Sequence, residues 1–119
     1  MPAPTSGGRT IRGVDVTLHA SGAETATGSS AGVELGDKST VRLDLAVTAA
    51  SGTSPTLDIT IEASPDNSTW TSVGTFTQAT GVTTQHKVFT GLDRYVRSRR
   101  TIGGTGSPSF TYSITGEAV

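Results

Sequence analysis

"TVRLDLAVTAASGTSPTLDITIEASPDNSTW", residues 40–70, is the stretch on which the reading of the fold turns. In its first eight residues Val41, Leu43, Leu45 and Val47 alternate with Arg42, Asp44 and Ala46. From Thr56 to Ala63 the residues Leu57, Ile59 and Ile61 alternate in the same way with Asp58, Thr60 and Glu62. A period of two puts each apolar set on one face of a strand and each polar set on the other. Two half-buried strands are therefore expected, with "TAASGTSP", 48–55, as the turn that connects them.

"SPDNSTW", 64–70, then runs a turn-forming cluster into the only tryptophan of the chain. Pro65, Asp66 and Asn67 are expected to reverse the chain, with the short Asp66 side chain capping backbone amides. Trp70 belongs to a return strand over Thr69 to Thr77 and is expected in the core beside Leu57, Ile59 and Phe76. Trp70, Val73 and Phe76 are spaced by three, so strict alternation fails near Gly74. A β-bulge there would restore Phe76 to the core.

Working outward, Val14, Val16 and Leu18 alternate with Asp15, Thr17 and His19 in a first strand. "ASGAETATGSSAG", 20–32, reads as either a long loop or a thin edge strand. The leading residues hold two prolines and two glycines but no large apolar side chain beyond Met1, too little to offset the entropy of ordering them. The expected organisation is a flexible N-terminal arm, residues 1–12, and a single domain, residues 13–119. Downstream, residues 83–90 are weakly patterned and residues 94–102 are basic. In "SFTYSITG", 109–116, Phe110, Tyr112 and Ile114 share one face, and "TIGGTGSP", 101–108, reads as a hairpin loop. Roughly seven to eight short strands with a turn about every ten residues predict an all-β fold, a two-sheet antiparallel β-sandwich of Ig-like or jelly-roll-like type.

Composition agrees with a thin core: apolar residues make up 33% and aromatics 5%. A formal net charge of −1 lacks the basic excess of a nucleic-acid binder. With no cysteine there is no disulfide framework and no thiolate metal site, which suits assembly in a reducing cytosol. No run approaches the length of an apolar membrane span, and no export leader is visible, so neither membrane nor nucleic acid is an expected partner.

Catalytic constellations are not found in the sequence. The two histidines, His19 and His86, have no ligand-type spacing and read as solvated strand residues. Asp58 and Glu62 fall on the solvent face of one strand without a pocket around them. The glycines of 101–108 are followed by a strand rather than a helix, so no phosphate-binding N-terminus follows them. No catalytic residue, cofactor or metal is therefore expected, and the chain is read as a non-enzyme. The one charged feature of note is "RYVRSRR", 94–100, in which Tyr95, Arg97 and Arg99 share a face and Arg94 and Arg100 the other. Arg97 and Arg99 are expected to pair with carboxylates on neighbouring strands and to block edge pairing, or to meet a partner. Arg9 and Arg12, near the end of the arm, complete the candidate partner contacts.

Two of these motifs carry a resemblance. "SPDNSTWTSVGTF" resembles the Ser-x-Asp-Gly-x-x-Trp-x-x-Val hairpin of discoidin-like β-sandwich domains, with Asn67 in the place of Gly, and "DRYVRSR" is similar to the Arg-Tyr-Val-Arg strand of the same group. "VELGDKSTVRLDLAVTAASGTSPTLDITIEASPDNSTW" together with "SPSFTYSITGEA" resembles small β-sandwich proteins of the heads and tails of tailed bacteriophages. The resemblance implies a virion structural protein, made in the host cytoplasm, of the capsid decoration (head auxiliary) type. Its implied partners are the major capsid protein or other virion subunits and further copies of itself, a trimer being one such oligomer. The alternative is a carbohydrate-binding module that meets a host glycan, for which Trp70, Phe89, Tyr95 and Tyr112 are the aromatics available for stacking.

Overall fold

The structure, a computed structural model, describes residues 14–119; the expected arm with Arg9 and Arg12 lies outside the described residues. The described chain is all β, with β1 (Val14–Glu24), β2 (Gly28–Ser29), β3 (Val33–Glu34), β4 (Val41–Ser64), β5 (Thr71–Thr75), β6 (Thr83–Phe89) and β7 (Tyr95–Ala118). Hydrogen bonding joins these seven strands into one open antiparallel sheet of order β1-β7-β4-β5, with β6 also on β4 and β2 and β3 also on β7.

The sheet is built around a ribbon of two long strands, β4 and β7, each of 24 residues. The sequence pattern predicts a turn at 48–55 and a hairpin loop at 101–108, and the structure corrects both. Neither segment reverses the chain, because each pairs with the other: Ala50 lies opposite Phe110, Ser51 opposite Ser109, and Thr53 opposite Thr105. Three register shifts interrupt the ladder between Val47 and Thr56, where the ribbon is irregular. Gly52 and Gly104 sit here at φ of 110° and 112°. A Cβ on Gly52 would stand 2.7 Å from Pro108 Cα, so the two strands approach here closer than any larger residue allows.

On either side of this kink the predicted alternation holds. Val41, Leu43, Leu45 and Val47 are buried before it, and Leu57, Ile59, Ile61 and Ala63 after it, in one hydrophobic cluster with Val96, Phe110, Tyr112 and Ile114. β6 flanks the first half of β4 in unbroken register from Val41 opposite Phe89 to Val47 opposite Thr83. β5 flanks the second half. Ile61 faces Gly74 and Glu62 faces Ser72, which leaves Val73 as the extra residue of the bulge expected near Gly74. Phe76 is buried as the bulge predicts and meets Phe89 edge to face at 5.5 Å. The open segment 20–32 resolves into the end of β1, a loop and β2.

Candidate partner-contact face

The turn at 64–70 forms as its residues require. Asp66 Oδ1 accepts hydrogen bonds from the amides of Ser68 (2.9 Å) and Thr69 (2.8 Å) and from the hydroxyl of Ser64 (2.9 Å). These donors, the Thr69 amide foremost, hold the Asp66 carboxyl below the ordinary aspartate value. Asn67 adopts φ of 61°, the left-handed conformation that Asn tolerates better than most side chains, which accounts for Asn at the glycine position of the hairpin motif.

The turn delivers Trp70 to a place the sequence reading does not give it. Trp70 is only partly buried and is absent from the core cluster; Phe76 alone fills the core position expected of the pair. Its indole lies over the Arg97 guanidinium, 4.3 Å from ring centroid to carbon. Val96 and Ser98 point into the core, so Arg97, between them, faces outward, and the tryptophan covers the outer face of the sheet. The physical reason is that the tight turn interrupts the alternation before Trp70 and the bulge at Val73 interrupts it after, so periodicity no longer fixes its side.

Beneath the indole Arg97 Nε donates to Glu62 Oε1 at 2.7 Å across directly opposed positions of β7 and β4. The two side chains are only 22% and 14% exposed, so this ion pair is shielded from water more than a surface pair is. The loop before β3 closes the arrangement. A Cβ on Gly32 would overlap Asn67 Oδ1 and come within 3.0 Å of the indole, so glycine lets this loop lie against the turn.

The face expected for the basic strand is therefore formed, with Tyr95, Arg97 and Arg99 outward on β7. Tyr95 is half-buried and lies beneath the Arg94 guanidinium, 5.7 Å away. Arg94 in turn donates to Glu34 on β3 at 2.9 Å. Arg97 finds the neighbouring carboxylate predicted for it, whereas Arg99 is exposed and forms no ion pair among the described residues. Guarding an edge is not the role of either, since β7 is flanked by β4 on one side and by β1, β2 and β3 on the other. Arg100, on the opposite face as predicted, turns toward Glu24 at 3.0 Å. Of the four aromatics considered for stacking, Phe89 and Tyr112 are core residues, and only Trp70 and Tyr95 reach the surface.

The titratable groups set aside in the sequence fall in two classes. His86 is 68% exposed and its Nδ1 lies 2.6 Å from Asp44 Oδ1, a solvated strand pair as expected; this bond holds the Asp44 carboxyl low. Asp58 bonds Gln78 and Glu62 bonds Arg97, so the two carboxylates do not act together. His19 departs from expectation. A register shift between Thr17 and His19 rotates the ring to the side of Leu18, where it stacks on Tyr112 at 4.0 Å with its side chain 11% exposed. No group of three or more metal-ligating side chains occurs among the described residues. No protein-family model matches this chain, and no curated protein does.

Proposed function

We propose that this chain is a non-enzymatic structural protein of a tailed-phage virion, of the capsid decoration type, and that it docks on the shell or on further copies of itself through the outer face bearing Trp70, Tyr95, Arg97 and Arg99. The observation that carries the docking face is the gathering of those four side chains on one side of a braced ribbon. Trp, Tyr and Arg are the residue types that dominate protein contact energies, and they do so where they are held still before the partner arrives. Arg97 is held by Glu62 and Trp70 by Arg97, while Arg99 stands ready for a carboxylate on the partner. The virion assignment rests on the resemblance of 33–70 and 107–118 to phage β-sandwich proteins.

The same proposal takes the single hydrogen-bonded sheet as folded over at its kink, its two halves facing each other as the layers of a sandwich. Two arguments support this. Alternate residues on both halves of β4 are buried to 1% exposure or less, and a flat sheet without helices leaves both faces in water. Phe76, which follows β5 on one half, touches Phe89 of β6 on the other.

The experiment is to add the labelled protein to purified particles and image them. Label over the shell is the expected result, and label absent from particles overturns the virion reading. Tyr95→Ala with Arg99→Glu, checked by thermal melt for an intact fold, is expected to weaken attachment at least tenfold; unchanged occupancy overturns the docking face.

The position of Trp70 outside the core specifically favours a second reading, a carbohydrate-binding module on the particle. Because Trp70 is the only tryptophan, its intrinsic fluorescence reports on this site alone. A saturable shift with cell-wall oligosaccharides in the parent, together with calorimetric binding of the same sugars that is lost in Trp70→Phe without change in melting, would select the glycan reading over the protein partner.

A further inference from the structure

A second cluster lies apart from the docking face, where β1 ends on the C-terminal half of β7 and the chain passes on to β2 on the N-terminal half. His19 Nδ1 is 3.0 Å from the backbone carbonyl oxygen of Tyr112, and His19 Nε2 is 2.7 Å from Glu24 Oε2. The other oxygen of Glu24 receives Arg100 Nη2 at 3.0 Å, and Arg100 Nε donates to the Ala26 carbonyl at 2.7 Å. Tyr112 belongs to the C-terminal half of β7 and Arg100 to its N-terminal half, so the chain of contacts spans the kink.

Each ring nitrogen of His19 thus faces an acceptor. A carbonyl oxygen only accepts, and a carboxylate paired with arginine is ionised and also only accepts. A neutral imidazole carries one N–H and satisfies one of the two; its other nitrogen then presents a lone pair to an oxygen lone pair. Only the imidazolium, with two N–H groups, completes both bonds.

We propose that His19 is a proton-operated clasp, closed when the ring carries both protons, that fastens the end of β1 and the loop to β2 onto both halves of β7. The groups facing the ring are Glu24 from β1, the carbonyl and ring of Tyr112 from β7 and, through Glu24, Arg100. No other ion pair reaches the cluster among the described residues. The Tyr112 phenol is raised by burial, with Arg100 opposing and Glu24 reinforcing, so it remains a neutral partner for the ring. Loss of a proton from His19 forces apart either Glu24 or the Tyr112 carbonyl. The register shifts that bracket His19 already interrupt the β1–β7 ladder there, so few backbone bonds resist the opening.

The sign follows from the bonds: the clasp is closed on the acid side, where the ring carries both protons, so the melt is compared between the limits of roughly pH 5 and pH 8 that bracket the charge change of histidines in general. The test uses the full chain carrying His86→Gln, which removes the other histidine, compared with the same chain also carrying His19→Gln. Melting temperature is expected to fall by about 4 °C or more between those pH limits in the first and to stay flatter in the second. Parallel curves overturn the clasp. Should the double variant fail to fold, nitrogen NMR of the imidazole in the parent decides: two protonated nitrogens at the acid limit, with amide exchange rising over residues 20–29 as one is lost, supports it. A singly protonated ring at that limit overturns it.

Discussion

The energetic link between Trp70 and Arg97 can be isolated with a double-mutant cycle. Trp70→Ala removes the indole, and Arg97→Met keeps an apolar stem while deleting the guanidinium. A cation over an aromatic face contributes about 0.5–1 kcal/mol in water and about 2 kcal/mol when desolvated. At 4.3 Å, over an arginine 22% exposed, the pair belongs in the upper part of that range, and a coupling of about 1–1.5 kcal/mol is expected. Each single variant costs more than this. Alanine at 70 also forfeits buried apolar area, and methionine at 97 leaves Glu62 unpaired, at about 1–3 kcal/mol. Those costs recur in both arms of the cycle and cancel. The assay is guanidinium denaturation of the four proteins at constant m-value. Val96→Ala, on the inward face beside Arg97, serves as a partner that should combine with Trp70→Ala additively. A coupling below about 0.5 kcal/mol, the ordinary error of additivity, would refute the placement of Trp70 on the outer face.

Gly116→Ala should be far more damaging than its chemistry suggests, because the new Cβ would run into the backbone carbonyl of Arg42, which cannot move without breaking the β4–β7 ladder. A loss of about 3 kcal/mol or more is expected, against about 0.5 kcal/mol or less for Gly81→Ala, whose Cβ meets nothing; equal losses in denaturation would contradict the strand register. Asp66 should govern part of the acid limb of stability. A carboxyl held low in the fold favours folding above its unfolded value, about 3.9, and that contribution disappears as pH falls through the folded value. Asp66→Asn keeps the Oδ1 acceptor but cannot titrate, so its melting temperature should fall less steeply than the parent's below about pH 4; superimposed curves would show that the capping bonds carry no charge-dependent stability.

What the amino-acid pattern displays depends on the range of the forces involved. The burial of Leu43, Leu45, Ile59 and Ile61 is local and periodic, and it reads directly from alternation. The Asp66 turn is equally local, since donor and acceptor lie within three residues of each other. The run of β4 through 48–56 is not local. Its partner is about fifty residues away in β7, and Gly, Ser and Pro, which punctuate a chain wherever they stand, favour a turn until that partner is known. Joining four predicted strands into two follows from this pairing alone.

The side chains that differ from expectation share one cause. Trp70 follows a turn and precedes a bulge, and His19 follows a register shift, so for both the alternating count is broken by one residue. A one-residue slip exchanges the two faces of a strand. It takes Trp70 out of the core and puts it over Arg97, and it takes His19 out of solvent and puts it against Tyr112. Tyr95, Arg97 and Arg99 lie on a stretch of β7 whose register with β4 is unbroken from Leu57 to Ser64, and there the predicted shared face is the face observed. Bulges therefore mark where this small core hands a large side chain to another task. The tryptophan braces an outward arginine and the histidine a carboxylate, and each link gives the proposed roles something that mutation can break without removing the core.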